Sequence, residues 1–234
     1  MLNMESHLMN QYPNTFYGDI SKFGKILGIC MFLIYFFLTP DLLESILGIN
    51  INPTLFTVSY LLIFLVILLI ILRNVYWESL KNIKINFVDN LKWFILCFIL
   101  MICLLLIVNS LIAWLNSYFN ITTSNLSTFN TKTPLVLIYT IILAPIIEES
   151  LFRGLIFRIL YSKSVIGAYI ISSVLFGFLH TIQFLMVGQI SQIFYTLIYI
   201  TMGLIFAMVY GKTKNMCFNT AFHMFNNILA MSFI

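Results

Sequence analysis

Two adjacent carboxylates, Glu148 and Glu149, follow directly on an apolar run in a chain whose charged residues are rare. One ionised carboxylate at membrane depth costs about 2.5–3.5 kcal/mol on insertion scales, so two side by side require a neutralising partner. Glu149 and Arg153 are four residues apart, acid before base, and share one face of a helix. Glu148 is rotated from Glu149 by about 100° around the helix axis. We therefore expect Glu149 to form a structural ion pair with Arg153 and Glu148 to face other partners.

The candidate partners of Glu148 are two histidines in apolar segments downstream, His180 and His223. Each belongs to a pair spaced by four residues, Phe176 with His180 and His223 with Asn227, so each pair occupies one face of a helix. Ionisable groups inside membrane spans are candidates for function. We therefore expect three helices to direct polar groups at one site, where Glu148 would act as a general base on water.

Each of these residues also has a structural interpretation. Glu148 could pair with Arg153 or Arg158 at a helix end, and the guanidinium of Arg153 could hold a substrate carboxylate. The two histidines could be packing residues. Asn227 could donate to a developing oxyanion or only bond a neighbouring helix. The adjacent Asn226 faces another way and is expected to pack or lie at the interface.

Glu148, His180 and His223 could also be three ligands of an open zinc site, each from a different helix. The His-Glu-x-x-His helix of zinc proteases is absent, as are a Gly-x-Ser-x-Gly nucleophile elbow, a phosphate loop and a dinucleotide fingerprint. We therefore expect no cofactor, with zinc as the alternative. Buried carboxylates and histidines also suit the proton relays of transporters, but the spans show no internal repeat.

The composition is that of a membrane protein. Of 234 residues, 61% are apolar and 9% charged, and the mean hydropathy is +1.02, whereas soluble domains are about 25% charged. The net charge of +4 forms no basic patch, so we expect no nucleic-acid partner. The four cysteines have no paired spacing and are expected to be free thiols, neither disulfide-bonded nor metal-binding.

The apolar windows predict an all-α polytopic transmembrane bundle of about seven spans, each of a length that suits a ~30 Å hydrocarbon core. The expected spans are 26–38, 54–72, 93–115, 134–161, 165–181, 190–210 and 216–234. A short helix near 41–50 would be an eighth, and residues 73–92 are expected to form a charged loop. Pro134 is placed to open the fourth helix, and Pro145 is expected to kink it. No small-residue cleavage site follows the first apolar run, so we expect it to remain as a span.

The distribution of Lys and Arg predicts the orientation. Seven spans place eleven of the twelve basic residues on the N-terminal side and only Lys132 on the other side. The positive-inside rule then makes the N-terminus cytoplasmic. On straight helices, Glu148 would lie toward the cytoplasmic side and His180 toward the outer side, with a depth difference of about 10 Å. Gly177 and Gly203 are expected to allow close packing of helices.

Three motifs on successive helices resemble those of one family, the type II CAAX prenyl endopeptidase and bacteriocin-processing proteins, also called the CPBP or Abi family. In chain order the motifs are Glu148-Glu149-x-x-x-Arg153, Phe176-x-x-x-His180 and His223-x-x-x-Asn227. The resemblance covers about residues 130–234. Any one motif is weak, but three in this order at helical spacing are specific.

The resemblance implies an all-helical intramembrane endopeptidase. In the family pattern Glu148 is the base that activates water with the help of His180, while His223 and Asn227 stabilise the oxyanion. Glu149 falls on a motif position with a less settled role, as does Arg153, and with Phe176 they are supporting residues. The family has been described both as metal-dependent and as glutamate-dependent, so the resemblance leaves both interpretations open.

The family also indicates the substrates. Its eukaryotic members remove C-terminal residues from prenylated proteins, and bacterial members are linked to bacteriocin self-immunity or peptide-pheromone processing. We therefore expect a peptide or protein substrate in the bacterial plasma membrane. The domains would be a polar tail, 1–21, N-terminal transmembrane helices, 22–130, and a CPBP/Abi-like catalytic core, 131–234. The alternative is a non-catalytic immunity or scaffold protein that binds a bacteriocin or a sensor protein.

Overall fold

The computed structural model describes residues 16–38, 40–48, 53–119, 134–186 and 190–232. Every regular element in these ranges is helical, which confirms the predicted all-α class. Most of the expected polar tail lies outside the described residues, as does Lys132. The α-helices are numbered in chain order: α1 Lys22–Phe37, α2 Pro40–Leu47, α3 Pro53–Ile71, α4 Arg73–Lys81, α5 Phe87–Tyr118, α6 Pro134–Tyr161, α7 Val165–Met186, α8 Thr196–Thr213 and α9 Met216–Ser232.

Four helices of the described ranges are long and apolar enough to cross a membrane, and α3 with α4 makes a fifth candidate that is bent by 69°. The four are Phe87–Tyr118, Pro134–Tyr161, Val165–Ile182 and Gln192–Thr213. α1 has 16 residues and α9 has 17, fewer than the roughly 20 that a typical span needs. The predicted count of about seven spans is therefore not confirmed. The short helix predicted near 41–50 is present as α2.

The charged stretch 73–92, predicted to be a loop, is mostly helical, and that prediction is wrong. α4 covers its first half, and α5 begins at residue 87. Val75 and Ser79, four residues apart on α4, are both buried. Asn215 Nδ2 donates to the carbonyl oxygen of Ser79 at 2.8 Å, and the backbone nitrogen of Met216 donates to Ser79 Oγ at 3.1 Å. α4 thereby holds the first residues of α9, the helix that carries His223.

α6 is one continuous helix that contains two π-helical stretches. It begins at Pro134, as predicted, because the first residue of a helix needs no N–H donor. The π-helical stretches are Tyr139–Leu143 and Ser150–Phe157, and Ala144–Glu149 between them is α-helical. The helix continues through Pro145 without a break. Both carboxylates of the first motif lie in the α-helical middle of α6.

α7 and α8 approach each other closely at two glycines. A Cβ at Gly177 would lie 2.7 Å from the backbone nitrogen of Ile200 and 2.9 Å from the carbonyl oxygen of Thr196. A Cβ at Gly203 would lie 3.2 Å from the Cα of Ser173. The predicted role of both glycines in helix packing is therefore confirmed. The contact fixes α7, which carries His180, against the helix that follows it.

The end of the expected polar tail packs against the helices. Phe16 stacks on Tyr210 with ring centroids 4.9 Å apart. Two cations lie over the Phe16 ring, Lys214 at 4.3 Å and Arg158 at 5.3 Å from its centroid. Arg158 also donates to the carbonyl oxygen of the residue after Phe16, at 3.3 Å. Arg158 is therefore engaged with the N-terminal segment, and the alternative in which it pairs with Glu148 is not supported.

Candidate active site

Glu149 is the centre of a fully buried polar cluster. Its Oε1 lies 3.0 Å from Arg153 Nη1, and both side chains are 0% exposed. The same oxygen lies 2.8 Å from His223 Nδ1, and Asn219 Nδ2 donates to the other oxygen, Oε2. The predicted Glu149–Arg153 ion pair is therefore confirmed. The carboxylate also fixes two side chains of α9.

The guanidinium of Arg153 is fully buried among the described residues. Its Nη2 donates to the carbonyl oxygen of Gly203 at 2.7 Å. The rings of Phe176 and Phe206 lie 4.8 and 5.4 Å from its central carbon, and such cation–π contacts are worth about 2 kcal/mol when desolvated. Arg153 does not line the cavity described below. The alternative in which it holds a substrate carboxylate is therefore not supported.

Glu148 points away from Glu149, as predicted, because successive residues of an α-helix are rotated by about 100° around its axis. Its Oε2 lies 3.5 Å from His180 Nε2 and 3.9 Å from His223 Nε2, and its side chain is 13% exposed. The expected depth difference between Glu148 and His180 is absent. α7 continues to residue 186, past the expected end at residue 181, so His180 lies inside the helix and not at its outer end.

His180 is oriented by its own helix and by stacked rings. Its Nδ1 lies 2.7 Å from the carbonyl oxygen of Phe176. The imidazole stacks on Tyr199 with centroids 4.8 Å apart and lies 4.2 Å from the ring of Phe176. A carbonyl oxygen only accepts, so Nδ1 carries the hydrogen and Nε2 faces Glu148. The four-residue spacing of Phe176 and His180 thus corresponds to a side chain-to-backbone bond within one turn.

His223 is oriented in the same way by Glu149. Its Nδ1 donates to the Glu149 carboxylate, and its ring stacks on Phe206 at 4.3 Å. The Nε2 atoms of His180 and His223 therefore both face the Glu148 carboxylate. A neutral imidazole protonated at Nδ1 has a lone pair at Nε2. Both nitrogens can therefore take up a proton beside the carboxylate, as general acid–base chemistry on water requires.

Asn227 joins α9 to α6 at the first π turn. In that turn the backbone N–H of Ala144 donates to the carbonyl of Tyr139, five residues earlier. The next residue in this register, Pro145, has no N–H to offer the carbonyl of Thr140. Asn227 Nδ2 donates to this carbonyl at 2.8 Å. Of the two alternatives for Asn227, the bond to a neighbouring helix is present, and the amide keeps a second hydrogen.

We expect Asn227→Ala to lower the free energy of unfolding by about 0.6–1.7 kcal/mol, the range for hydrogen bonds between membrane helices. The carbonyl of Thr140 would lose its donor. Pro145→Ala adds an N–H for that carbonyl and should offset part of the loss. Thermal unfolding of the purified protein in detergent measures the effect. Asn109→Ala is the control, since exposed Asn109 donates within its own helix at 2.8 Å. Equal stability of Asn227→Ala and Asn109→Ala would contradict the assignment.

A cavity of about 410 Å³ lies against Glu148, within the usual size range of ligand pockets. The other three residues predicted to be catalytic also line it, His180, His223 and Asn227. Asn226 lines it too, and its Nδ2 donates to Asn227 Oδ1 at 3.1 Å, so the expectation that Asn226 faces elsewhere is wrong. Most of the remaining wall is apolar or aromatic and comes from Tyr139, Ala144, Phe176, Phe184, Tyr195, Ile198, Tyr199, Met202, Ala230 and Met231.

Among the polar residues of the site that were not predicted, Asn219 and Gln192 are the most buried. Asn219 lies four residues before His223, which lies four before Asn227, so the three form one stripe along α9. That spacing could have identified Asn219 as a partner of the buried carboxylate. Gln192 is 2% exposed and lines the cavity. No spacing distinguishes Gln192, because it lies near Gln189 and Ser191 in a short polar stretch at the start of an apolar segment.

The zinc alternative requires Glu148, His180 and His223 as ligands. In the part of the chain that the structure describes, no group of three His, Cys, Asp or Glu side chains is arranged to hold a metal ion. The donor atoms of the two histidines are 3.5 and 3.9 Å from one oxygen of the carboxylate. The four cysteines are free thiols, as predicted. Whether the reaction needs a metal stays a prediction.

The part of the chain that contains the site is similar to known proteins. Residues 130–229 match the family model described as "Type II CAAX prenyl endopeptidase Rce1-like". A curated Bacillus subtilis (strain 168) protein named "Putative membrane peptidase YdiL" is 39% identical over 82 residues, which are 35% of this chain and 30% of that protein. The match thus spans less than a third of the length of that relative. No solved structure matches.

The family resemblance predicted from the three motifs is therefore confirmed. Residues 130–229 resemble the CAAX-type endopeptidases that the family model describes. The matched segment contains both carboxylates, both cavity histidines and Asn227. It begins just before α6 and ends within α9, so it includes every helix that contributes to the polar cluster and the cavity.

Proposed function

We propose that the chain is an intramembrane endopeptidase that hydrolyses a peptide bond in a membrane-associated peptide or protein. The observation that supports this most directly is the position of Glu148. Its carboxylate lies between two imidazole Nε2 atoms at the wall of a cavity that can hold part of a peptide. The match of residues 130–229 to the family model of type II CAAX prenyl endopeptidases supports the same reaction class.

In the proposed reaction Glu148 removes a proton from a water molecule, and the water oxygen attacks the scissile carbonyl carbon. His180 assists by accepting and returning the proton through Nε2, 3.5 Å from the carboxylate. His223, once its Nε2 has also taken up a proton, and the second amide hydrogen of Asn227 donate to the oxyanion and stabilise it. The C–N bond then breaks, and the proton passes from Glu148 to the leaving amine. The products are a new carboxyl terminus and a new amino terminus.

The proposal includes the arrangement in the membrane. We propose that α1 and α9, each close to the lower length limit of a span, also cross the bilayer of a bacterial plasma membrane. Seven spans would then place the N-terminus in the cytoplasm by the positive-inside rule. The substrate would be a prenylated protein, a bacteriocin or a pheromone-like peptide, held in or on the membrane, and cut near its cytoplasmic face.

The experiment that tests the proposal compares chain termini. Wild type, Glu148→Ala and Glu78→Ala are expressed at matched levels in a strain without the native protein, and membrane and secreted peptides are analysed by mass spectrometry. Glu78 is the control carboxylate, since it pairs with exposed Lys81 outside the site. We expect new termini with wild type and Glu78→Ala only. Identical termini in all three strains would instead support the non-catalytic immunity or scaffold function, provided that Glu148→Ala still restores the phenotype that the strain loses without the native protein.

A further inference from the structure

One polar side chain of the cavity has no role in the proposed chemistry. Gln192 belongs to the 3₁₀ turn Ile190–Tyr195, which leads into α8, and it lines the same cavity as Glu148. The residue is 2% exposed, and its Oε1 has no hydrogen-bond partner among the described residues. A buried acceptor without a donor costs about 1–3 kcal/mol. Such an atom therefore indicates a partner that the described residues do not supply.

The lining of the cavity restricts what that partner can be. Phe184, Ile198, Met202 and Met231 make the cavity wall apolar, so an apolar group fits there. A hydrocarbon chain alone would leave Oε1 unpaired, and a carboxylate would bring a second acceptor against it. A peptide satisfies both conditions, because each residue other than proline carries a backbone N–H next to its side chain.

We propose that Gln192 is a substrate-binding residue whose Oε1 accepts a hydrogen bond from a backbone N–H of the substrate beside the scissile bond. The side chain of that substrate residue fills the apolar part of the cavity. The inference rests on the proposed endopeptidase function and adds a residue that positions the substrate: Gln192 holds the peptide backbone while the cavity takes an apolar side chain. Gln192 takes no part in the proton transfer.

The test uses full-length enzyme in lipid nanodiscs and a short synthetic peptide that spans the bond identified by the comparison of termini. In a set of analogues, one backbone amide at a time is replaced by an ester, which removes the N–H and keeps the side chains. We expect one ester near the cut to lower the kcat/KM of wild type about tenfold to a hundredfold. Gln192→Met keeps the length but lacks the acceptor, so the same ester should leave its kcat/KM unchanged.

The matched control is Ile193→Met, in the same turn but 44% exposed, which should respond to the ester like wild type. If Gln192→Met does not fold, Gln192→Leu takes its place. Equal sensitivity of wild type and the Gln192 variant to every ester would overturn the inference, as would a wild type that no ester slows. Either result leaves cleavage itself intact, whereas wild type without new termini relative to Glu148→Ala would overturn the endopeptidase function as well.

Discussion

Replacement of Glu148 by Gln is expected to lower the rate of peptide-bond cleavage by about 10²- to 10⁴-fold, the usual contribution of a general base. The amide has the shape of the carboxylate but cannot accept a proton from water. The side chain of Glu148 lies at the cavity wall and is 13% exposed, and its contacts with His180 and His223 are 3.5 Å or longer. The protein should therefore stay folded. The measurement is kcat on the peptide identified from the new termini, with thermal unfolding recorded on the same sample.

Glu78→Gln is the matched control for this experiment, because it makes the same chemical change at a carboxylate outside the cavity. It should keep the activity of wild type. His180→Gln should lower the rate less than Glu148→Gln does, since His180 assists the base. A Glu148→Gln enzyme that retains most of the wild-type rate would exclude Glu148 as the base and would assign the proton transfer to another group of the cavity.

The different orientations of the two adjacent carboxylates could be predicted from the sequence, because they depend only on the local geometry of one helix. A four-residue separation places Glu149 and Arg153 on one helix face, and an offset of about 100° sends Glu148 elsewhere. The observed ion pair at 3.0 Å and the different direction of the Glu148 side chain follow from these two facts. No neighbouring element is needed to derive them.

The relative depth of Glu148 and His180 could not be predicted, because it depends on where α7 ends and how it packs. Hydropathy placed the end of the span at residue 181, whereas the helix continues to residue 186. The π turns of α6 were equally hidden, since no residue pattern distinguishes them from α-helix. Asn227 could be selected by spacing, but its partner, a carbonyl left without a donor before Pro145, became apparent only from the backbone.

The stretch 73–92 was mispredicted for a different reason. Its charge was taken to indicate a loop, although Val75 and Ser79 already have the four-residue spacing of a buried helix face. The helix α4 is stabilised by tertiary contacts with Asn215 and Met216, far away in sequence. Local composition therefore predicted the apolar helices better than the structure of residues 73–92, where contacts between distant residues stabilise the helix.

The polar cluster around Glu149 explains how this buried carboxylate can influence the adjacent Glu148. Arg153 supplies the compensating charge, and the carboxylate then fixes the imidazole of His223, whose other nitrogen faces Glu148. Asn219 completes the cluster by donating to the second oxygen. Glu149 thus acts on the site through His223, in the manner of a group that orients a catalytic imidazole. Loss of the cluster should affect folding and the position of this histidine together.

Arg153→Met is accordingly expected to lower the free energy of unfolding by about 3–5 kcal/mol, because it leaves Glu149 as an unpaired charge at a fully buried position. The double variant Glu149→Gln with Arg153→Met should recover much of that loss, since neither charge remains. Thermal and denaturant unfolding in detergent, together with the yield of folded protein, measure the effect. Lys81→Met is the control, because it breaks the exposed Glu78–Lys81 pair and should change stability by no more than about 1 kcal/mol. Arg153→Met with the stability of Lys81→Met would show that the buried pair contributes little. A double variant less stable than Arg153→Met would show that the bonds of Glu149 to His223 and Asn219, and not its charge balance with Arg153, hold this part of the fold.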